Sequence, residues 1–411
     1  MIYDNSVCFD IIPINIICLK MTAALIPRIL DIKDLLNERS LFLFGPRQTG
    51  KSTFLRTQLG TTITKTYNLL DRGLFLRLSH DQTLIRQELV EQNLTDCVIC
   101  IDEIQKLTEL LDEVQLLIEE RNIRFLLTGY SARKLKRQGT NLLGGRARDR
   151  SFHPLSYAEI GGKNFELLRA LNHGLLPFHY LSNDPTEDLS AYVGRYLTEE
   201  ISAEGISRNI PAFSRFLSVA AAANGQLINF TNIGNDAQVT RQTVQNWYQV
   251  LTDTLVGFEI LPFKKTSIRK AITTAKYYLF DTGIVRALRE LPMISEKSKD
   301  FGDFFEHFIA MELKAWIDYR SPRSSLQFWR STSNFEVDFI LNEKIAIEVK
   351  SSDNIQDKHL KGLRAFKEEN LMERYIVVCQ EQRARSKDGI EILPWQNFLD
   401  ELWSGSLKTE K

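Results

Sequence analysis

The chain has 411 residues, 43% of them hydrophobic and 25% charged, which is too much for one ordinary core and excludes a disordered or collagen-like polymer. Two to four domains of roughly 100–150 residues are expected. Fifty-two basic residues balance fifty-two acidic ones, so any attraction to nucleic acid has to come from a local patch and not from the overall field.

The apolar stretch from Val7 to Leu19 contains Asp10 and Pro13 and is too short to span a bilayer, so no membrane anchor is expected there. Met21 opens MTAALIPRIL, and residues 1–20 read as an N-terminal extension ahead of it. From Ser40 short apolar runs alternate with helix-length segments: LFLF (41–44), CVICID (97–102), ELLDEVQLLIEE (109–120) and RFLLTG (124–129). Strands separated in this way imply an α/β unit with a parallel sheet covered on both faces. Five cysteines, an odd number, argue against a disulfide framework and for the cytoplasm. Cys97 and Cys100 flank an apolar strand with no second pair or histidine nearby, so they are expected in the core and not around zinc.

Between LFLF and the helix-forming TFLRTQL lies GPRQTGKS, a complete phosphate-loop pattern in the context that pattern requires. Its glycines let successive N–H groups close around phosphate oxygens, and the following helix N-terminus adds positive partial charge. Gly45, Pro46, Arg47, Gln48, Thr49, Gly50, Lys51, Ser52 and Thr53 are therefore the expected ATP-binding residues. Lys51 would reach the β and γ phosphates, and the Ser52 hydroxyl would bind Mg²⁺. The run VICI ends in Asp102 and Glu103, an acidic pair at the end of a buried strand, where parallel sheets bind ligands. Asp102 is expected to hold the Mg²⁺ shell and Glu103 to orient or deprotonate the attacking water. One strand later, Thr128 falls where it would sense the γ-phosphate.

Between about Tyr157 and Asn224 the apolar spacing is helical and strand-like runs are absent, with Gly174 and Pro177 as punctuation. Then TNIGNDAQVTRQTVQNWYQVL, VGFEILPF, a basic loop and KYYLF give helix, turn, helix and two strands, the layout of a winged helix. Arg241, Gln242, Gln245 and Asn246 share the polar side of its second helix, suited to base edges or phosphates. Lys264, Lys265, Arg269, Lys270 and Lys276 follow with no acid among residues 264–276, which would make a positive wing for DNA; a protein-docking surface is the other reading.

The last part opens with a helix, FFEHFIAMELKAWI, followed by strands around LQFWR, FEVDFIL, AIEVK and RYIVVC. A tight turn at 342–344 makes FEVDFIL and AIEVK a hairpin, and the two-residue period puts Glu348 and Lys350 on one face with Asp338 nearly opposite. With helix-borne Glu306, these residues would hold Mg²⁺, through Asp338 and Glu348, and orient a water for phosphodiester attack. The spacing resembles the PD-(D/E)XK nucleases, with Val337 where their proline usually stands. That scaffold also binds without cutting, so an ATP-dependent regulatory or protein-binding module with an inactive nuclease fold is the alternative.

GPRQTGKS, IDEIQK, LTGYSARKL, GGRARDRSFHPLSYAEI and HGLLP, in that order, resemble the AAA+ ATPases of bacteria and archaea that carry a C-terminal nuclease-like domain. The resemblance runs from about Arg28 to Val378. It implies an AAA+ core at 21–160, a helical lid at 161–225, a winged helix at 226–280 and the nuclease-like domain at 281–411. It also implies that Arg146 or Arg148 reaches the nucleotide of a neighbouring subunit in a homo-oligomer, neutralising transition-state charge.

Overall fold

The computed structural model describes residues 25–131, 133, 142–197 and 209–407. The extension expected at 1–20 lies outside them. The N-terminal unit comprises α1 (Lys33–Glu38), β1 (Ser40–Phe44), α2 (Lys51–Gln58), β2 (Lys65–Asn68), α3 (Arg72–His80), α4 (Thr83–Glu91), β3 (Val98–Asp102), α5 (Leu110–Arg121), β4 (Arg124–Gly129) and β5 (Ala147–Ser151). Its strands form a five-stranded sheet in the order β2-β3-β4-β1-β5, every pair parallel. Strand alternation divides the apolar side chains between two cores: Phe42, Phe44, Ile99 and Ile101 face one, and Leu41, Leu43, Val98 and Cys100 face the other. Burial on both faces is why these strands read as unbroken apolar runs. Cys100 is buried and Cys97 half-buried, and both are free thiols.

The next region is helical among its described residues: α6 (Tyr157–Ile160), α7 (Leu167–His173), α8 (Pro177–Leu181), α9 (Pro185–Ala191) and α10 (Ile210–Ala222). A helix-turn-helix follows, α11 (Phe230–Ala237) capped by Asn229 and α12 (Arg241–Asp253) capped by Thr240. The antiparallel strands β6 (Gly257–Pro262) and β7 (Lys276–Leu279) come next, then α13 (Thr282–Leu288).

The remaining elements are α14 (Phe301–Arg320), β8 (Leu326–Arg330), β9 (Glu336–Leu341), β10 (Ile345–Val349), α15 (Lys361–Lys367), β11 (Arg374–Cys379), β12 (Arg385–Lys387), β13 (Ile390–Pro394) and α16 (Trp395–Ser404). Their sheet has eight strands, ordered β12-β13-β11-β10-β9-β8-β6-β7. The expected order of helix, turn, helix and antiparallel strand pair is present, and the pair does not stand apart: β6 also pairs in parallel with β8, which makes β6 and β7 the outer strands of the C-terminal sheet. One hydrophobic core runs from Leu155 through α10, α12 and α14 to Leu407 and joins these regions. No helix among the described residues is long and apolar enough to cross a membrane.

Candidate nucleotide site and C-terminal carboxylate cluster

The expected ATP-binding residues wrap from the end of β1 to the start of α2. Gly50 closes the turn at φ +92°, a conformation L side chains rarely adopt. Thr49 Oγ1 donates to the Pro46 carbonyl at 2.8 Å, tightening the loop. Lys51 Nζ donates to the carbonyls of Gly45 (2.5 Å) and Pro46 (2.9 Å). Burial pushes this ammonium down to about 8, with Glu103 and Asp102 acting in the opposite sense. The loop opens into a cavity of about 730 Å³ whose lining includes Arg47 to Thr53 and Glu103 and, across from them, Leu25, Ile26, Pro177 and Phe178. A phosphate-binding floor under apolar walls suits a nucleotide.

At the end of β3, Asp102 is buried and accepts a hydrogen bond from Thr128 Oγ1 on the neighbouring strand β4. Glu103 takes a left-handed backbone, φ 65°, strain that a site-forming turn has to hold in place. Gln105 Nε2 donates to the Glu103 carboxylate. This glutamine is itself buried against Gly129, which leaves no room there for a side chain. Ser52 at the start of α2 and Asp102 supply a hydroxyl and a carboxylate, the oxygen donors Mg²⁺ prefers. The residues present fit that ion beside a nucleotide.

Arg146 and Arg148 lie elsewhere. β5 runs parallel to β1 with Ala147 opposite Ser40, so both arginines sit at the end of the sheet away from the phosphate loop. Arg146 pairs with Glu119 at 2.7 Å and Arg148 with Glu38 at 3.7 Å. Neither serves the nucleotide of its own chain.

Two groups that sequence reasoning missed hold the nucleotide site against the rest of the molecule. Arg28 is 8% exposed. Its Nε meets Glu159 Oε1 at 2.9 Å, Nη1 donates to the Thr49 carbonyl at 2.7 Å, and Nη2 donates to the His153 carbonyl at 2.7 Å and to Tyr319 Oη at 3.1 Å. His153 Nε2 and Asp318 Oδ2 are 2.6 Å apart. Tyr319 and Asp318 both belong to α14, so the phosphate loop is tied to the C-terminal region through side chains. No local sequence signal marks either contact.

In the C-terminal sheet β9 and β10 form the expected hairpin, with Ile345 opposite Leu341 and Ile347 opposite Phe339. Continuing that register sets Asp338 across from Glu348, and Val349 N donates to Asp338 Oδ2 at 2.8 Å. Lys350 Nζ lies 2.5 Å from Glu348 Oε1 and 3.9 Å from Asp338 Oδ2. Both carboxyls are pushed above their ordinary values, first by burial and then by the neighbouring acids. Lys350 is held above its own, because Asp338 and Glu348 outweigh the effect of its burial. Glu306 does not complete a metal set. Among the described residues no three His, Cys, Asp or Glu side chains are placed to hold one metal ion. The residues present thus do not fit an Mg²⁺ held by all three carboxylates. The reason is electrostatic: Glu306 accepts hydrogen bonds from Lys276 Nζ (3.2 Å) and Tyr278 Oη (2.6 Å) instead.

The expected positive wing is also differently made. Lys265 pairs with Glu343, Arg269 with Glu368 at 2.6 Å, and Lys276 with Glu336 at 2.7 Å. Glu369 accepts the backbone N–H groups of Ser267, Ile268 and Arg269. The loop is folded back on the C-terminal region, with Lys264 and Lys270 left exposed.

Comparison with known proteins divides the chain in three. Residues 37–161 match the family described as AAA domain, residues 164–295 a domain of unknown function (DUF8612), and residues 301–398 a domain of unknown function (DUF4143). The chain is also 24% identical over 304 residues to "Uncharacterized protein Mb2031c" of Mycobacterium bovis and to "Uncharacterized protein Rv2008c" of Mycobacterium tuberculosis. The match covers 72% of this chain and 66% of each relative, so the chain spans just under two thirds of their length. The phosphate loop, the acidic end of β3 and the parallel sheet thus fall within an AAA-family P-loop ATPase domain at residues 37–161, and the carboxylate cluster falls largely within a DUF4143 domain at 301–398.

Proposed function

We propose that the chain binds and hydrolyses ATP with Mg²⁺ and uses the nucleotide state to control its C-terminal region. One observation carries this reading: Lys51, the pair Asp102 and Glu103, and Thr128 meet at the C-terminal ends of adjacent parallel strands. There Lys51 binds the β and γ phosphates, and the N–H groups of the loop and of the start of α2 cradle them. Ser52 and Asp102 would hold Mg²⁺, which neutralises phosphate charge when bound. Glu103, steadied by Gln105, orients the attacking water, and Thr128 fixes the Asp102 carboxylate. Arg146 serves the nucleotide of a neighbouring copy, and a homo-oligomer is part of the proposal. The domain division that goes with it is an ATPase core to about residue 160, a helical lid from 161, and a helix-turn-helix whose strands belong to the C-terminal sheet.

For that C-terminal region we favour a regulatory or binding module on a nuclease-like scaffold. The order helix, three antiparallel strands, helix and a strand parallel to the third supports the PD-(D/E)XK likeness. A further lysine, Lys276, seated among the carboxylates supports binding over cutting. DNA remains the candidate partner of the exposed Arg241, Gln242 and Asn246 on α12. The test is ATP turnover and affinity, with and without DNA, for the wild type, Lys51→Ala and Glu103→Gln. Lys51→Ala should weaken ATP binding at least about tenfold, since each charge-assisted contact is worth roughly 1.5–3 kcal/mol. Glu103→Gln should bind ATP normally and turn it over slowly. Unchanged affinity in a folded Lys51→Ala protein sinks the assignment, and Mg²⁺-dependent DNA cutting lost in Asp338→Ala would favour an active nuclease.

A further inference from the structure

Lys276 has no place in a positive wing. Its side chain is 5% exposed and enters the C-terminal cluster from β7, with Nζ 2.7 Å from Glu336 Oε1 and 3.2 Å from Glu306 Oε1. Tyr278, two residues on and therefore on the same face, donates to the same Glu306 oxygen. Glu336 shares its face of β9 with Asp338 by the same rule. Burial alone would drive the Lys276 ammonium down, yet the surrounding acids hold it well above its ordinary value, so it is a cation at any physiological pH. Glu306 is thereby engaged by β7 while its charge still acts on Asp338 and Glu348, and among the described residues no three carboxylates converge on one ion position. One oxygen of the Asp338–Glu348 pair is left over: Glu348 Oε2 is buried without a hydrogen-bond partner.

We propose that Lys276 is a built-in cation of this cluster, which engages Glu306 and Glu336 beside Asp338 and Glu348 and keeps the cluster free of divalent metal while β7 is docked on the sheet. The inference rests on the nuclease-like reading of the C-terminal region only in its choice of ion. A tethered ammonium competes with a free ion at high effective concentration, and displacing it would leave a buried positive charge without a partner. The feature comes from the residues before 301, so metal access to the C-terminal carboxylates is controlled by the preceding region.

The experiment is Mn²⁺ binding to the full chain without nucleotide, followed by electron paramagnetic resonance of the free ion. Wild type, Lys276→Met and Lys276→Met/Glu336→Gln are compared, each with and without Asp338→Asn. The double variant removes the ammonium together with its nearer carboxylate, so it stays charge-balanced if the single variant fails to fold. Wild type should show only weak, unsaturable binding. Removing the ammonium should create one saturable site at least about tenfold tighter, and Asp338→Asn should abolish it. A saturable wild-type site that depends on Asp338 overturns the inference and leaves the nuclease-like reading standing. Absence of a new site in the folded variants also overturns the inference and leaves the binding-module reading standing.

Discussion

Arg28→Met is the sharpest perturbation the nucleotide site offers, because one guanidinium serves an ion pair, three backbone carbonyls and a tyrosine. Removing one partner of a buried pair costs about 3–5 kcal/mol. Glu159 keeps two backbone donors, Ile29 N at 2.9 Å and Ser156 N at 3.0 Å, which places its share at the low end. The carbonyls of Thr49 and His153 each lose a donor at 2.7 Å, and an unsatisfied buried acceptor costs roughly 1–3 kcal/mol. These contributions share one group and do not add, so the expected loss is about 4 kcal/mol, a factor of roughly a thousand in the unfolding equilibrium. Arg28→Lys keeps the charge beside Glu159 but not the planar fork, and should recover less than half of the loss. Urea unfolding followed by circular dichroism, with ATP affinity measured in parallel, reads both effects. A loss below about 1 kcal/mol in Arg28→Met, the size of an ordinary surface substitution, would refute the reasoning.

Gln105→Ala should lower turnover about tenfold or more while leaving ATP affinity within about twofold, since it frees the Glu103 carboxylate without touching the phosphate loop; equal loss of affinity would assign Gln105 to the fold. Glu312 gives a pH prediction. Burial pushes its carboxyl from 4.5 up to about 8, although Tyr157 N and Trp403 Nε1 donate to it. Between those values the folded chain holds a proton that the unfolded chain does not, so the stability this group contributes is present at low pH and is lost as the pH rises to 8. Melting temperature should therefore fall less from pH 5 to pH 8.5 in Glu312→Gln than in wild type, and equal falls would show that Glu312 is ionised throughout.

What was legible in the sequence is what depends on consecutive residues. GPRQTGKS names its own turn and helix start, and VICIDE its own strand end, because each needs particular side chains side by side. The β9–β10 hairpin could be read because a period of two and a short turn fix its register. The basic loop misled for the opposite reason. Within residues 264–276 there is no acid, but Glu343, Glu368 and Glu369 arrive from about a hundred residues later and neutralise or clasp it. Lys276 looks identical in sequence to its exposed neighbours, and only the pairing of β6 with β8 carries it into the carboxylate cluster. Arg28 and Tyr319, 291 residues apart, leave no local pattern at all.

These long-range contacts share one element. α14 carries Glu306 near its start and Asp318 and Tyr319 near its end. Thirteen residues of α-helix separate Glu306 from Tyr319, about 20 Å of rise along a single rod. A helix buried along most of its length moves as a unit or hardly at all, because a packed core resists continuous deformation. Arg28 joins the Thr49 carbonyl of the phosphate loop to Tyr319 Oη. The same rod bears Glu306 against Lys276, whose strand is fixed to the sheet through β6. The ammonium–carboxylate contact at 3.2 Å is longer than the one to Glu336 at 2.7 Å, and of the two acids only Glu306 is carried by α14. One helix thus touches both sites, held near one end by an arginine that donates to the phosphate loop and near the other by a lysine among carboxylates.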